Sequence, residues 1–555
     1  MTTSLYFNME RSRIVATGAG KQRIFLFIGL ATFSLLGLVG ILNHSLWRDE
    51  ANPWLIARDS YGFLDLFNNL KYEGHPILWY LILYGLNQFS ANPVLMQIAH
   101  WLLGTATAYL FLRFSPFSRL QKVLFIFGFF PFYEYFMISR NYAIGLLMAF
   151  SICTVFSTRK KTYLLLALLL FLLANCNAFG LLITIGLTAT LVLEAVMGKR
   201  STQEVLTNDR VFLPEVPVWD KTLSLSIVGL GMILALSLLV QPADSTAGGG
   251  QSEWFLQFDW QRLGAAITRI GSGYIAVYSP TVNQAIELII GCLATLILVT
   301  LITLSLIKKP LVLCFYWVTT CLILTFNYTK FIGFPRHYGH YYVVLIMSLW
   351  LSSYYPQSLG FAPANIPEIN NTGFSLIRTK IFESLSRWMT FAQQQQRTLL
   401  TLILVLHFVA GIVAFSRNLF IPFSASRQTT EFMGDHQLNR WFIVGSRDVN
   451  MTPISAYLQQ KIYYPETRRV GSFTVFSQKR QDVGEEEVLM QLQQLNQVYN
   501  PLLLILNYEL MVNSPTLKII ELAQFKHSFL TDERYQVYCV TLANHPLACD
   551  SGSLP

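Results

Sequence analysis

Charge is what this sequence has least of. Only 13% of its 555 residues are Asp, Glu, Lys or Arg, where soluble domains carry roughly a quarter, and this excludes a water-soluble enzyme of ordinary composition. Acidic residues are the scarcer kind, 31 Asp and Glu against 40 Lys and Arg. Cysteine is also sparse. Of the seven, Cys153, Cys176, Cys292, Cys314 and Cys321 lie in apolar runs, where cysteine behaves as a small hydrophobe. Only Cys539 and Cys549 share a polar region, and they could pair if that region is outside the cytoplasm. No G-x-G-x-x-G stands between a strand and a helix, and no internal repeat is present, so neither a dinucleotide fingerprint nor a repeat architecture organises the chain.

What is there is apolar: 53% of the residues are hydrophobic and 14% aromatic, gathered into long runs separated by short basic or aromatic loops. That composition excludes disorder and makes lipid the solvent for most of the chain. The net charge of +9 sits mainly in Lys and Arg clusters at the ends of the runs, as positive-inside topology requires. It therefore implies orientation in a membrane and no nucleic-acid partner.

The first run, Ile24 to Leu46, follows Arg11, Arg13, Lys21 and Arg23 without a small-residue cleavage pattern, and reads as an anchor whose start is cytoplasmic. Further spans are expected near 93–113, 122–137, 141–157, 162–178, 179–198, 222–241, 282–307, 310–327, 339–355 and 398–417, about eleven in all. The short Trp- and Tyr-rich run Pro76 to Phe89 is placed in the interface, because counting it as a span would reverse the charge sense of the later loops. With that choice the inside loops hold about twenty Lys and Arg residues against about eight outside. The expected division is a cytoplasmic N-terminus (1–23), a membrane domain (24–417) with a large external loop (47–92), and an extracytoplasmic α/β domain (418–555). In that tail the pattern predicts a helix near 426–437, a strand RWFIVG, a helix with TPISAYLQQ, strands near KIYYP and SFTVF, a helix near 484–499, and strands PLLLILN and YQVYCVTL.

Asp49 and Glu50 come directly after the first span. A carboxylate desolvated at the lipid–water boundary is a stronger base, although Asp49 also suits a helix N-cap. Glu134 and Arg140 flank a second external turn, and Lys330, Arg336, His337 and His340 a third. Three external turns thus bring acids and cations to one depth, as a membrane enzyme needs in order to hold an anionic head group beside an activated nucleophile. The competing use of Arg140, Lys330 and Arg336 is snorkelling to lipid phosphates. His337 and His340, three apart, could ligate a metal only with a third ligand that the sequence does not supply, so a hydrogen bond to phosphate or a Tyr is favoured. Trp47 and Trp54 are the aromatic residues favoured to stack on a sugar; other Trp residues follow the interfacial preference.

WRDEA after the first helix, EGHPILWY closing the loop, YEYFMISRNYAIG, the ANCNAFG turn and PRHYGHYYVV before a late helix together resemble GT-C glycosyltransferases, of the mannosyltransferase and aminoarabinose-transferase type related to family 39 in bacteria. The resemblance covers roughly residues 20–420, and the tail looks like the extracytoplasmic domain that some members carry. It implies a GT-C-like helical membrane protein that transfers a sugar from a polyprenyl-phosphate donor to an acceptor hydroxyl, with inversion, at the outer face of a bacterial inner membrane. By the same resemblance Asp49 is the general base or acceptor-orienting group and Glu50 its support. Lys330 and Arg336 stabilise the departing phosphate, with Arg140 a further candidate. Glu134 binds acceptor or, with Asp49, a divalent metal, and His75 lines the loop without an assigned role. Members that use metal carry a fuller acidic set, so the metal is left open. The acceptor, whether lipid, glycan or protein, is unspecified. A transporter or flippase of a lipid-linked saccharide is the alternative; it would be expected to carry inverted repeats and charges near the bilayer midplane.

Overall fold

The computed structural model describes residues 2–204, 216–247, 254–276, 285–357 and 374–543. Among them, eight helices are long and apolar enough to cross a membrane: Gly20–Asn43, Val94–Phe114, Tyr142–Lys160, Ala178–Met197, Val218–Leu239, Ala285–Leu306, Pro310–Thr329 and Ser386–Phe420. The chain is an integral membrane protein, mostly helical, with a small sheet domain at its C-terminal end. The three other expected runs are filled by shorter pieces. Leu164–Ala174 and Pro335–Leu351 are single helices, but 122–137 is broken into a helix, Arg119–Ile126, and a π-helical turn, Phe129–Glu134. A capping box starts the first piece, Ser118 Oγ accepting from Gln121 N at 3.3 Å and Gln121 Oε1 accepting from Ser118 N at 3.1 Å. Pro131 ends regular pairing, since it lacks an N–H and its ring collides with the carbonyl four residues back.

The run Pro76 to Phe89 forms the helix Leu78–Asn87, with Trp79, Tyr80 and Leu83 buried. These side chains pack with Trp54 and Leu55 of the helix Arg48–Asp59, so much of this interfacial segment is covered by protein. Two α-helices were not anticipated, the short Phe63–Leu70 in the first loop and a longer one. Trp260–Tyr274 is interrupted by Arg262, Arg269 and three glycines, which hid it from an apolar-run reading; Asp259 Oδ1 caps it by accepting from Arg262 N at 2.6 Å.

Close helix contact within the membrane domain depends on two glycines. The Phe136 ring, stacked on Phe33 with centroids 4.7 Å apart, lies between Gly37 and Gly104. A Cβ at Gly104 would fall 1.9 Å from Phe136, and one at Gly37 would fall 2.2 Å away. Gly104→Ala is therefore expected to destabilise by about 1–3 kcal/mol, lowering the unfolding temperature of the detergent-solubilised protein by several degrees. Gly229→Ala, whose Cβ would meet nothing within 4 Å, is the control. Equal melting of both variants would refute this packing argument.

The C-terminal domain is one six-stranded sheet: β1 Phe442–Gly445, β2 Ile462–Tyr464, β3 Arg469–Gly471, β4 Leu502–Leu506, β5 Leu517–Phe525 and β6 Tyr535–Leu542. The order is β3-β2-β1-β4-β6-β5. β1 runs parallel to β2 and β4, and the remaining pairs are antiparallel. Helices Ser426–Asp435, Asp448–Leu458 and Glu485–Asn496 complete it, close to the expected positions.

SFTVF is not a strand. Its polar groups go instead to the membrane domain's loop, Thr474 N to Asn52 Oδ1 at 2.9 Å and Ser472 Oγ to Asp59. β5 was missed because it is an edge strand with a bulge between Glu521 and Ala523, and its inward and outward positions are almost equally half-buried. Cys539, on β6, is disulfide-bonded; Cys549, whose pairing with it the sequence left open, lies outside the described residues, as do residues 282–284 of one expected span and 544–555 of the tail.

Candidate functional site

The helix Arg48–Asp59 starts four residues beyond the first span, with Asp49 and Glu50 in its first turn, where carboxylates complement the helix dipole. Neighbours on a helix point about 100° apart, and the two acids accordingly meet different surroundings. Glu50 turns inward and is fully buried. Its Oε2 lies 2.9 Å from His44 Nε2, and its Oε1 accepts from Ser139 N at 2.5 Å. His44 Nδ1 in turn lies 2.9 Å from Asn418 Oδ1. Glu50 thus ties together the end of the first span, the turn before Arg140 and the end of the last span. This is a positioning role, with no oxygen left facing the cleft.

Asp49 stays partly exposed. Its Oδ2 accepts from Arg140 Nη1 at 2.5 Å and from Arg336 Nη2 at 3.1 Å. Arg140 is buried and its backbone is pinned, N donating to His100 Nε2 at 3.1 Å. The Arg336 guanidinium sits 5.2 Å from the Trp47 ring and 5.1 Å from Phe334, while Tyr135 Oη donates to its carbonyl at 3.0 Å. Burial alone pushes the Asp49 carboxyl up, as the sequence suggested, but the Arg140 and Arg336 charges outweigh it and hold the group below the usual carboxylate range.

Glu73, which opens the EGHPILWY segment, is a site residue that the sequence did not single out. Gly74, at φ +63°, turns the chain there. Glu73 Oε1 accepts from Asn52 Nδ2 at 2.9 Å and Oε2 from Tyr80 Oη at 3.1 Å. Asn52 is one helical turn on from Asp49, on the same face, and the Asp49 charge reaches the Glu73 carboxyl. Burial pushes Glu73 up to about 7, the Tyr80 hydrogen bond opposing and the Asp49 charge adding to the rise. His75 donates from Nδ1 to the Glu73 carbonyl at 2.7 Å. Burial and the Arg140 charge push its imidazole down to about 4, so it is neutral at physiological pH.

The other sequence candidates divide. Glu134 ends the π-helical turn, is 8% exposed, and makes no hydrogen bond or ion pair among the described residues; Arg336, Arg140 and Arg417 are the cations acting on it. Asp49 and Glu134 thus lie among guanidinium groups, and no group of three or more His, Cys, Asp or Glu side chains able to hold a metal occurs among the described residues. The donor set does not fit a divalent ion. His337 caps its helix, Nδ1 accepting from Phe334 N at 3.0 Å. His340 stacks on Phe179 at 4.5 Å and faces Tyr135 Oη at 3.4 Å, matching the expected tyrosine contact. Lys330 lies 4.8 Å from the Trp254 ring, and it is Arg336, six residues on, that reaches Asp49. Trp54 does not face a sugar: it is fully buried in the loop's core, with Nε1 donating to Ala91 O at 3.2 Å. Trp47 is also buried, its ring serving the Arg48 and Arg336 guanidinium groups.

The tail takes part in this site, which the sequence did not suggest. Glu533 Oε1 accepts from Arg48 N at 3.0 Å, and Asp532 Oδ2 lies 2.5 Å from Arg48 Nη1. Burial pushes Glu533 up to about 8, Arg48 opposing. On the membrane side, the Arg140 guanidinium lies 5.5 Å over the Tyr142 ring, and Tyr142 also lines a narrow crevice with Tyr135, Leu146, Leu173, Asn177 and His340. The arrangement offers two planar, forked cations suited to a phosphate, a mostly apolar crevice beside them, and two carboxyls of opposite protonation tendency.

No family model matches the chain, and no curated protein matches it in sequence. Among solved structures it is similar to ArnT from Cupriavidus metallidurans bound to undecaprenyl phosphate, at 12% identity and a TM-score of 0.44 over 92% of this chain and 97% of that one. It is likewise similar to ArnT from the same organism in the apo state, at 13% identity and a TM-score of 0.46 over 94% and 98%.

Proposed function

We propose that this protein is a membrane glycosyltransferase of the GT-C kind, which moves a sugar from a polyprenyl-phosphate donor to an acceptor hydroxyl at the outer face of a bacterial inner membrane, with inversion. The observation that carries the reading is the meeting of Arg140 and Arg336 on one oxygen of Asp49, from loops 196 residues apart, counting from 140 to 336. Two guanidinium groups held together cost little to reorganise when negative charge grows on a departing phosphate. Tyr142, under the Arg140 guanidinium, continues into a mostly apolar crevice with Leu146, Leu173 and Val343, which is where the lipid side of a donor would approach those cations. Asp49 keeps the cation pair in place, and its Oδ1, which receives no hydrogen bond among the described residues, orients the acceptor. The Lys and Arg distribution supports a cytoplasmic N-terminus and an extracytoplasmic tail. The acid and cation cluster lies in turns at helix ends, where lipid head groups are, and this favours surface chemistry over passage through the midplane.

The test is release of free polyprenyl phosphate by membranes containing the protein, offered a panel of polyprenyl-phosphate-linked sugars. The wild type is expected to turn over one donor class, and Asp49→Asn, which leaves the two guanidinium groups without their anion, to be slower by about 10²-fold. If no donor is consumed while a labelled lipid-linked saccharide crosses the bilayer, the transporter reading replaces this one.

A further inference from the structure

On the reading that the chain is a glycosyltransferase, we propose that Glu73, and not Asp49, is the general base that takes the proton of the acceptor hydroxyl. The geometry separates the two carboxyls. Asp49 is committed to two guanidinium groups through Oδ2. Glu73, one helical turn away through Asn52, touches only neutral donors, Asn52 Nδ2 at 2.9 Å and Tyr80 Oη at 3.1 Å, and forms no ion pair among the described residues. It is also half-buried, so it is not sealed from solvent. Adjacent titratable groups whose surroundings drive them apart divide the work of acid–base catalysis. Asp49 stays ionised, holding the cations and orienting the acceptor, whereas Glu73, near 7, is poised to accept and release a proton at working pH. His75, the remaining titratable neighbour, is held too low to serve well as a base.

In the step, the acceptor oxygen forms a bond to the anomeric carbon while its proton passes to Glu73. The bond from the anomeric carbon to the phosphate oxygen breaks, and its electron pair leaves on polyprenyl phosphate beside Arg140 and Arg336. The phosphate gains one negative charge and Glu73 loses one, so charge and atoms balance.

The groups facing Glu73 are Asn52 on its neighbouring helix, Tyr80 on the next, Asp49, and Arg140 from the second loop. Transfer should therefore fall as pH drops through about 7. The experiment measures polyprenyl phosphate release against pH in membranes holding wild type, Glu73→Gln and Tyr80→Phe. Glu73→Gln is expected to lose about 10²–10⁴-fold in kcat while retaining donor binding. Tyr80→Phe removes a hydrogen bond that favours the ionised carboxyl, so its acid limb should move to higher pH with the rate recovered at the alkaline end. If Glu73→Gln accumulates poorly, the shift in Tyr80→Phe decides. A Glu73→Gln protein with wild-type rate, or a Tyr80→Phe limb that stays in place, overturns the assignment and leaves the transferase reading standing. Absence of donor turnover in the wild type itself overturns both.

Discussion

Replacing Arg140 by Gln is expected to reduce polyprenyl phosphate release by about 10²–10³-fold, the loss usual when one preorganised donor to a developing anion is removed. Three features make this position more sensitive than an ordinary surface arginine. The side chain is buried, its backbone is fixed by His100, and its Nη1 stands 2.5 Å from Asp49, so its loss leaves Arg336 to meet the phosphate without it. On the proposed reading the loss should appear mainly in kcat, because the charge Arg140 meets grows as the glycosidic bond breaks. Arg140→Lys should restore little, since a single ammonium cannot reproduce the fork that engages Asp49 on one side and a phosphate on the other. Steady-state release with a fixed donor separates these outcomes. A large rise in KM with kcat preserved would mean that Arg140 only gathers donor from the membrane.

Glu50→Ala should act on the fold instead. Removing one member of a fully buried polar pair leaves the other without its partner, at a cost of about 3–5 kcal/mol. Here His44 and Ser139 N would both lose an acceptor. Thermal unfolding in detergent should show a large drop, with Glu50→Gln in between because an amide oxygen still accepts one of the two bonds. Normal melting with lost turnover would instead make Glu50 part of the chemistry.

These contrasting expectations for neighbouring residues show what could be read in the sequence and what could not. Apolar length marked the spans, and the scarcity of charge singled out Asp49, Arg140 and Arg336, which do meet. The roles within WRDE depend on helix phase, which a pair of adjacent letters does not disclose until the helix start is known. Glu73 gave a weak signal, one acid before Gly-His-Pro in a loop with other acids. Its importance comes from Asn52 and Tyr80, residues that no motif connects to it. Trp54 was misread because interfacial and core tryptophans look alike without their neighbours. Lys330 and Arg336 looked equivalent on one turn, and only the direction of each side chain separated them. The tail was read as a domain of its own because its contacts with the first loop, Ser472 to Asp59 and Glu533 to Arg48, are long-range hydrogen bonds without periodicity.

The grip of Glu533 on Arg48 also imposes an order in time. The two residues are 485 positions apart, which at about 5–20 residues per second of synthesis corresponds to roughly 25–100 s between the making of the first loop and the making of the group that steadies it. During that interval the membrane helices can insert and pack, but the Asp49 turn lacks the Glu533 and Asp532 contacts to Arg48. A nascent chain would hold its cations and carboxyls before it could align them, and the reaction would wait for the last strand of the tail to dock.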